Sequence, residues 1–162
     1  MRELRPIDAA WIPTAPLRVE ATLRFSAPPR RLFEALADAE GWTAWFPMMT
    51  EARWTRGTGG LGHEREVAVR GLGRVRERFI VWEDGRRFAF TMIAAGSPFI
   101  AAMGEDYRLD DDDGGGSRLA WTIGAEPSRL GKVAAPALKL ILRRLMAGAG
   151  RRLEARLQAS PW

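Results

Sequence analysis

Between Leu17 and Phe25 apolar and polar side chains alternate. Leu17, Val19, Ala21, Leu23 and Phe25 fall on one side, Arg18, Glu20, Thr22 and Arg24 on the other. This is the two-residue period of a strand with one wet face. At Pro28-Pro29 the period changes, and Leu32, Phe33, Leu36 and Ala37 follow at helical spacing. A proline pair stops a hydrogen-bonded ladder, so strand gives way to a short helix. The stretch "DAEGWTAWFP" reads as a second short helix or turn closed by Pro47, with an aromatic surface of Trp42, Trp45 and Phe46. Residues 1–16 carry Pro6, Pro13 and Pro16 without a clear period. They read as an extended arm pinned by Trp11 and Ile12.

The middle of the chain is a succession of strands broken by "RGTGGLG", "RGLGR", "EDGR", "GSP" and "DDDDGGG", the spacing of an antiparallel meander. Register follows from the turn lengths that keep apolar residues on one face. A turn at Gly71-Leu72-Gly73 sets Val69 opposite Val75, Val67 opposite Glu77, Arg65 opposite Phe79 and His63 opposite Val81, with Glu66 facing Arg78 on the wet side. A two-residue turn at Asp84-Gly85 sets Phe79 opposite Phe90, Val81 opposite Phe88 and Glu77 opposite Met92. The aspartate-glycine hairpin sets Leu109 opposite Leu119, Tyr107 opposite Trp121 and Glu105 opposite Ile123. These registers place Val19, Leu23, Val67, Phe79, Phe90, Leu109 and Trp121 on the concave side of one sheet. A helical pattern closes the chain from about Leu130 to Leu157. Its stripe is Leu138, Ile141, Leu142, Leu145, Met146, Ala149, Leu153 and Leu157, and Lys139, Arg143, Arg151 and Arg152 lie mostly off it. Pro136 marks where regular helix starts, and Gly148 and Gly150 let it bend or sit close to the sheet.

Composition narrows the chemistry. With 162 residues, 46% hydrophobic and 28% charged, the chain is one globular domain. It has no cysteine, which excludes disulfides and thiolate chemistry, and its one histidine, His63, excludes a histidine-rich metal site. No metal or cofactor is expected. The four aspartates lack the alternation and the bidentate glutamate of a calcium loop, and read as a solvated hairpin. No apolar run is long enough to span a membrane and no signal-peptide core opens the chain, so a soluble, cytoplasmic protein is expected. The net charge of +5 is almost all arginine. Nucleic-acid or membrane binding needs clustered charge, and only the C-terminal segment approaches that.

Strand, two short helices, six antiparallel strands, long helix: this order resembles the START-like superfamily of polyketide cyclase/dehydrase and lipid-transport proteins. The match is carried by "FSAPPRRLFEALAD" with "GWTAWFP", by "GLGHEREV", by "RERFIVWEDGRRFAFTM", and by the "GEDYRLD"/"SRLAWTI" hairpin before the long helix. The resemblance implies an α+β helix-grip fold over residues 17–158, following the arm of residues 1–16. In that fold a curved seven-stranded antiparallel sheet wraps the C-terminal helix, and the two small helices close one end of a cavity between them.

Such a cavity is the usual form of a small-molecule site. The inward polar positions are His63, Arg65, Glu77, Glu105 and Tyr107. An uncompensated buried charge is costly, so Arg65 and Glu77 should be partners; the resemblance adds that relatives often carry Arg and Glu at these positions. Trp45, Arg65, Glu77, Phe79, Phe90, Met92, Tyr107, Trp121, Leu142 and Met146 are the expected ligand-contacting set. Glu105, Tyr107 and His63 are the residues that acid/base catalysis would use. The leading class is a binder or carrier of an apolar small molecule or lipid. Next comes a polyketide cyclase, aromatase or dehydratase working in the same cavity. Third is an interaction protein docking by its basic helix on a membrane surface or nucleic acid. This last is weakened because the arginines share their helix with a core stripe and no aromatic platform interleaves them.

Overall fold

The computed structural model describes residues 1–160. The chain forms β1 (Arg2–Glu3), β2 (Leu17–Phe25), α1 (Pro29–Ala37), α2 (Trp42–Trp45), β3 (Met49–Arg56), β4 (Glu64–Val69), β5 (Gly73–Glu83), β6 (Arg87–Ala95), β7 (Ile100–Asp111), β8 (Ser117–Pro127) and α3 (Ala135–Ala159). Seven strands form one antiparallel sheet in the order β2-β8-β7-β6-β5-β4-β3. The fold is the expected α+β helix grip. The two strands that flank α1 and α2 lie at opposite edges of the sheet, so these helices bridge its ends. Proline at the first helical position of α1 gives up no ladder bond, since that N–H has no intrahelical partner anyway.

The arm is more structured than an extended segment. β6 and β7 pair only from Arg87 to Thr91 and then part. β1 pairs with Ala94 and Ala95 of β6, the Leu4 N–H donates to the Ile93 carbonyl, and the Arg5 N–H donates to the Ala101 carbonyl of β7. The arm therefore satisfies backbone groups that the diverging strands leave open. Ile12 is fully buried, whereas Trp11 is only half-buried. Ile7 and Ile12 form a second apolar cluster with Ala89 and Ala102 on the outer side of the sheet. Gly124 makes this approach feasible, because a Cβ there would stand 2.4 Å from the Ile12 carbonyl oxygen. Ile7→Ala should lower stability by about 2 kcal/mol through a small cavity under the arm; an unchanged urea midpoint would show that the arm is not held by this cluster.

The β7–β8 hairpin has the expected register, with Leu109 opposite Leu119, Tyr107 opposite Trp121 and Glu105 opposite Ile123. The β4–β5 register is corrected. Val69 pairs with Gly73 across Arg70-Gly71-Leu72, so Val67 faces Val75, Arg65 faces Glu77, and Glu66 faces Arg76 rather than Arg78. Gly71 and Gly73 both adopt positive φ, 86° and 74°, which lets Gly73 open the new strand directly instead of completing the turn. The slip is two residues, so every side chain keeps its face.

In β5–β6 the turn also holds three residues, Asp84-Gly85-Arg86, not two. A bulge at Ile80 absorbs the difference and returns Phe79 to Phe90 and Glu77 to Met92 as expected. Between bulge and turn the faces invert. Val81 pairs with Ala89 rather than Phe88, and Trp82 takes the inner position opposite Phe88.

The core between sheet and α3 includes Val19, Val67, Phe79, Phe90, Leu109 and Trp121, with Leu32 and Phe33 of α1 and Met146, Ala149 and Leu153 of α3. Leu23 is only partly buried, but it packs under Gly150, where an added Cβ would lie 2.9 Å from its Cδ1. Regular α3 begins at Ala135 after a 3-10 turn at Lys132–Ala134. Ile141 does not join the core and is 55% exposed. Three residues advance a helix by less than a full turn, so Ile141 trails Leu138 by roughly 60° and reaches the outer side.

Candidate functional site

Four strands project polar side chains onto the concave face. Arg65 of β4 and Glu77 of β5 are directly opposite, not diagonal, and are 1% and 3% exposed. Arg65 Nε donates to Glu77 Oε2 at 2.7 Å. Nη2 lies 2.7 Å from the same oxygen, but at an angle that makes no hydrogen bond, so one buried N–H group lacks an acceptor. The guanidinium lies over the Trp42 ring, 4.4 Å from its centroid, with Phe79 and Phe90 each at 5.4 Å. Trp42 is held by its own indole N–H, which donates to the Leu36 carbonyl at 2.8 Å.

Beside this pair, Tyr107 Oη donates to Glu105 Oε2 at 2.6 Å and Trp121 Nε1 donates to it at 2.8 Å. Burial pushes the Glu105 carboxyl up to about 7. The Tyr107 and Trp121 donors and Arg65 oppose that rise, and the nearby Glu77 adds to it. Burial also raises Glu77, against the pull of Arg65. The Tyr107 phenol is pushed well above its ordinary range, first by burial and then by the Glu105 carboxylate. The result is a cluster of one arginine and two carboxyls that resist ionising together.

His63 is placed elsewhere. Its carbonyl accepts from the Phe79 N–H, so it stands opposite Phe79 rather than Val81. Its Nδ1 accepts from the Gly59 N–H at 3.1 Å, and the ring packs against Gly57 and Gly60. It caps the glycine loop and is not part of the Glu105–Tyr107 cluster. Among the described residues there is no group of histidine, aspartate or glutamate suited to hold a metal.

Trp45, Phe79, Phe90, Met92, Trp121, Leu142 and Met146 are all brought to the interior. Their side chains, with Tyr107, pack into one buried cluster rather than facing open space. A cavity of about 620 Å³ lies instead at one end of the sheet, between α1 and the β5–β6 turn. Phe33, Ala37, Trp82 and Leu109 give it apolar walls, and Arg30, Glu34, Asp84, Arg86 and Asp111 give it a charged rim.

A chain of rings joins this cavity to the polar cluster. Phe33 meets Trp82 at 5.4 Å, Trp82 stacks on Phe88 at 5.8 Å, Phe88 on Tyr107 at 4.7 Å, and Tyr107 on Trp121 at 5.0 Å. Sequence reasoning missed Trp82 as an inner residue and Trp42 as the platform for Arg65. The uninterrupted apolar run Ile80-Val81-Trp82 was the available sign of a bulge.

Residues 16–159 match the model of the family described as polyketide cyclase / dehydrase and lipid transport. Uncharacterized proteins of Mycobacterium tuberculosis and Mycobacterium bovis are 35% identical over 159 residues, covering 95% of this chain and 95% of theirs. A START superfamily protein from Mycobacterium smegmatis superposes with a TM-score of 0.75 at 13% identity, covering 88% of this chain and 98% of that one. The Zhui aromatase/cyclase from Streptomyces sp. R1128 superposes with a TM-score of 0.72 at 18% identity, over 86% of this chain and 92% of that one. At such identities the superpositions speak for the fold, while the family match spans nearly the whole chain. The match over residues 16–159, on a sheet that grips α3, identifies this chain as a member of the polyketide cyclase / dehydrase and lipid transport family.

Proposed function

We propose that the protein binds, and in the simplest reading carries, an apolar small molecule or lipid with one polar end. The observation that carries this is the aromatic path from the 620 Å³ cavity to the Arg65–Glu77–Glu105–Tyr107 cluster. A core built only for stability gains little from buried ions, since apolar side chains of similar volume do as well or better. Here the ions sit at the end of an aromatic path, where Arg65 Nη2 lies 2.7 Å from Glu77 Oε2 without an aligned hydrogen bond. The cavity volume falls within the range of small-molecule pockets. In this reading the ligand's apolar body lies against Phe33, Trp82 and Leu109, and its oxygen-bearing end meets the cluster as side chains give way.

One observation favours a second reading, an acid/base enzyme of the cyclase or dehydratase type. A carboxyl near 7, hydrogen-bonded to a tyrosine, is poised to exchange a proton at neutral pH. The solved aromatase/cyclase of similar fold lends this some support.

The test is direct. Native mass spectrometry of protein purified from its own host should show a retained apolar ligand. An apolar fluorescent probe should bind with a negative heat-capacity change, and Leu109→Trp should weaken it about tenfold by filling the cavity. A folded protein that binds no probe, or binds it unaltered by Leu109→Trp, overturns this placement of the ligand. Turnover of a polyketide-like substrate that vanishes in Glu105→Gln while probe binding persists would establish the enzyme reading.

A further inference from the structure

The start of α3 and the loop before it form a surface that the ligand-binding reading does not use. Seven of the chain's 25 cations and none of its 20 carboxylates lie between Pro127 and Leu153. They are Arg129, Lys132, Lys139, Arg143, Arg144, Arg151 and Arg152, and the rest of the chain is net negative. None of the seven forms an ion pair among the described residues. The carboxylates that flank the segment are engaged elsewhere, Glu126 with Arg5 and Glu154 with Ser26 and Gln158.

The same segment carries bare apolar side chains. Val133 is 91% exposed, Leu130 66%, Ile141 55% and Leu140 51%. Phe99 stands beside them, because its carbonyl accepts from the Ser128 N–H and crowds Gly131. On α3, Leu140 lies with Ala137 and Arg144 on the face opposite Leu142, Met146, Ala149 and Leu153, while Ile141 stands at the border between that face and the core stripe. The helix is thus apolar on two sides over its first turns. The cations do share their helix with a core stripe, as the sequence indicates, but Leu140 and Ile141 stand outside that core and are free to meet a partner.

We propose that this surface docks the protein on an anionic lipid bilayer, with Leu130, Val133, Leu140 and Ile141 inserting at the headgroup boundary and the flanking cations meeting lipid phosphates. Protruding aliphatic side chains ringed by lysine and arginine are the chemistry of an interfacial segment. A second copy of the chain is a poor occupant, since a two-fold contact would set seven cations against seven. Nucleic acid gains nothing from four exposed aliphatic side chains. The contact is peripheral, since no helix among the described residues is long and apolar enough to cross a membrane.

Sedimentation of the full chain with phosphatidylcholine vesicles, with and without phosphatidylglycerol, tests the proposal independently of any ligand. Binding should require the anionic lipid and weaken as salt rises. Each basic side chain near the surface contributes about fivefold in affinity, so Arg143→Glu with Arg144→Glu should reduce binding by well over tenfold. Leu140→Ser with Ile141→Ser should also weaken it several-fold while keeping the salt dependence. All four positions are exposed, and an unchanged circular dichroism spectrum confirms that the variants fold. No binding to anionic vesicles at low salt overturns the proposal. So does equal binding to neutral vesicles, or binding that ignores the Leu140 and Ile141 changes while duplex DNA is bound as tightly.

Discussion

Glu77→Ala should lower the free energy of unfolding by about 3–5 kcal/mol, because it strands the Arg65 guanidinium in the core. Arg65 is 1% exposed, its hydrogen bond to Glu77 is the one its side chain makes among the described residues, and the surrounding rings offer only partial compensation. Stacking on Trp42 contributes on the order of 1–2 kcal/mol, not enough to replace a carboxylate. Urea denaturation reads the difference, and an unchanged midpoint would mean that Glu77 does not hold the arginine. The more telling variant removes both partners. Arg65→Met with Glu77→Leu should recover most of the loss, since an apolar pair of similar volume packs as well as a buried ion pair. If that double variant is stable but no longer binds the apolar probe, the pair is kept for the ligand. If it is as unstable as Glu77→Ala, the pair is a brace.

What the sequence disclosed about this region depended on the two-residue period. The slip in the β4–β5 turn left Arg65, Glu77 and Phe79 on the inner face, because a slip of two moves partners without turning side chains over. The inward carboxyls and Tyr107 were therefore legible in the alternation alone. The bulge at Ile80 was not. Alternation identifies a face only when the other face is wet, and here the outer face is itself buried by the arm, so Ile80 and Val81 are apolar for a second reason. That hid the inversion and with it the inner place of Trp82, a wall of the cavity. The position of open space was equally out of reach. It depends on how rings from α1, α2 and six strands fill the interior, and no pattern along one element encodes that. The exposed start of α3 failed for a related reason: a three- and four-residue recurrence shows that a stripe exists, but not how far along it the sheet reaches.

The pH dependence of stability should carry the signature of Glu105. In the unfolded chain this carboxyl titrates near its ordinary 4.5, and in the folded protein near 7. Between those values the folded state retains a proton that the unfolded state has released. The associated stability is therefore present in full below 4.5, declines as pH rises through the interval, and is lost once pH passes 7. The total is about 3 kcal/mol. Glu77 is raised as well and works in the same sense, so the comparison has to be made by difference. Glu105→Gln keeps an oxygen for the Tyr107 and Trp121 donors and stays neutral throughout. The variant should match the parent near pH 4.5 and exceed it by about 2–3 kcal/mol at pH 8. Parallel stability curves for the two proteins would show that Glu105 is solvated, not buried. The same proton reaches the proposed function. A probe whose polar end carries an oxygen acceptor meets a donor in the protonated Glu105 and none in the carboxylate. Probe affinity in the parent should then fall as pH rises above 7, and in Glu105→Gln it should lose most of that slope.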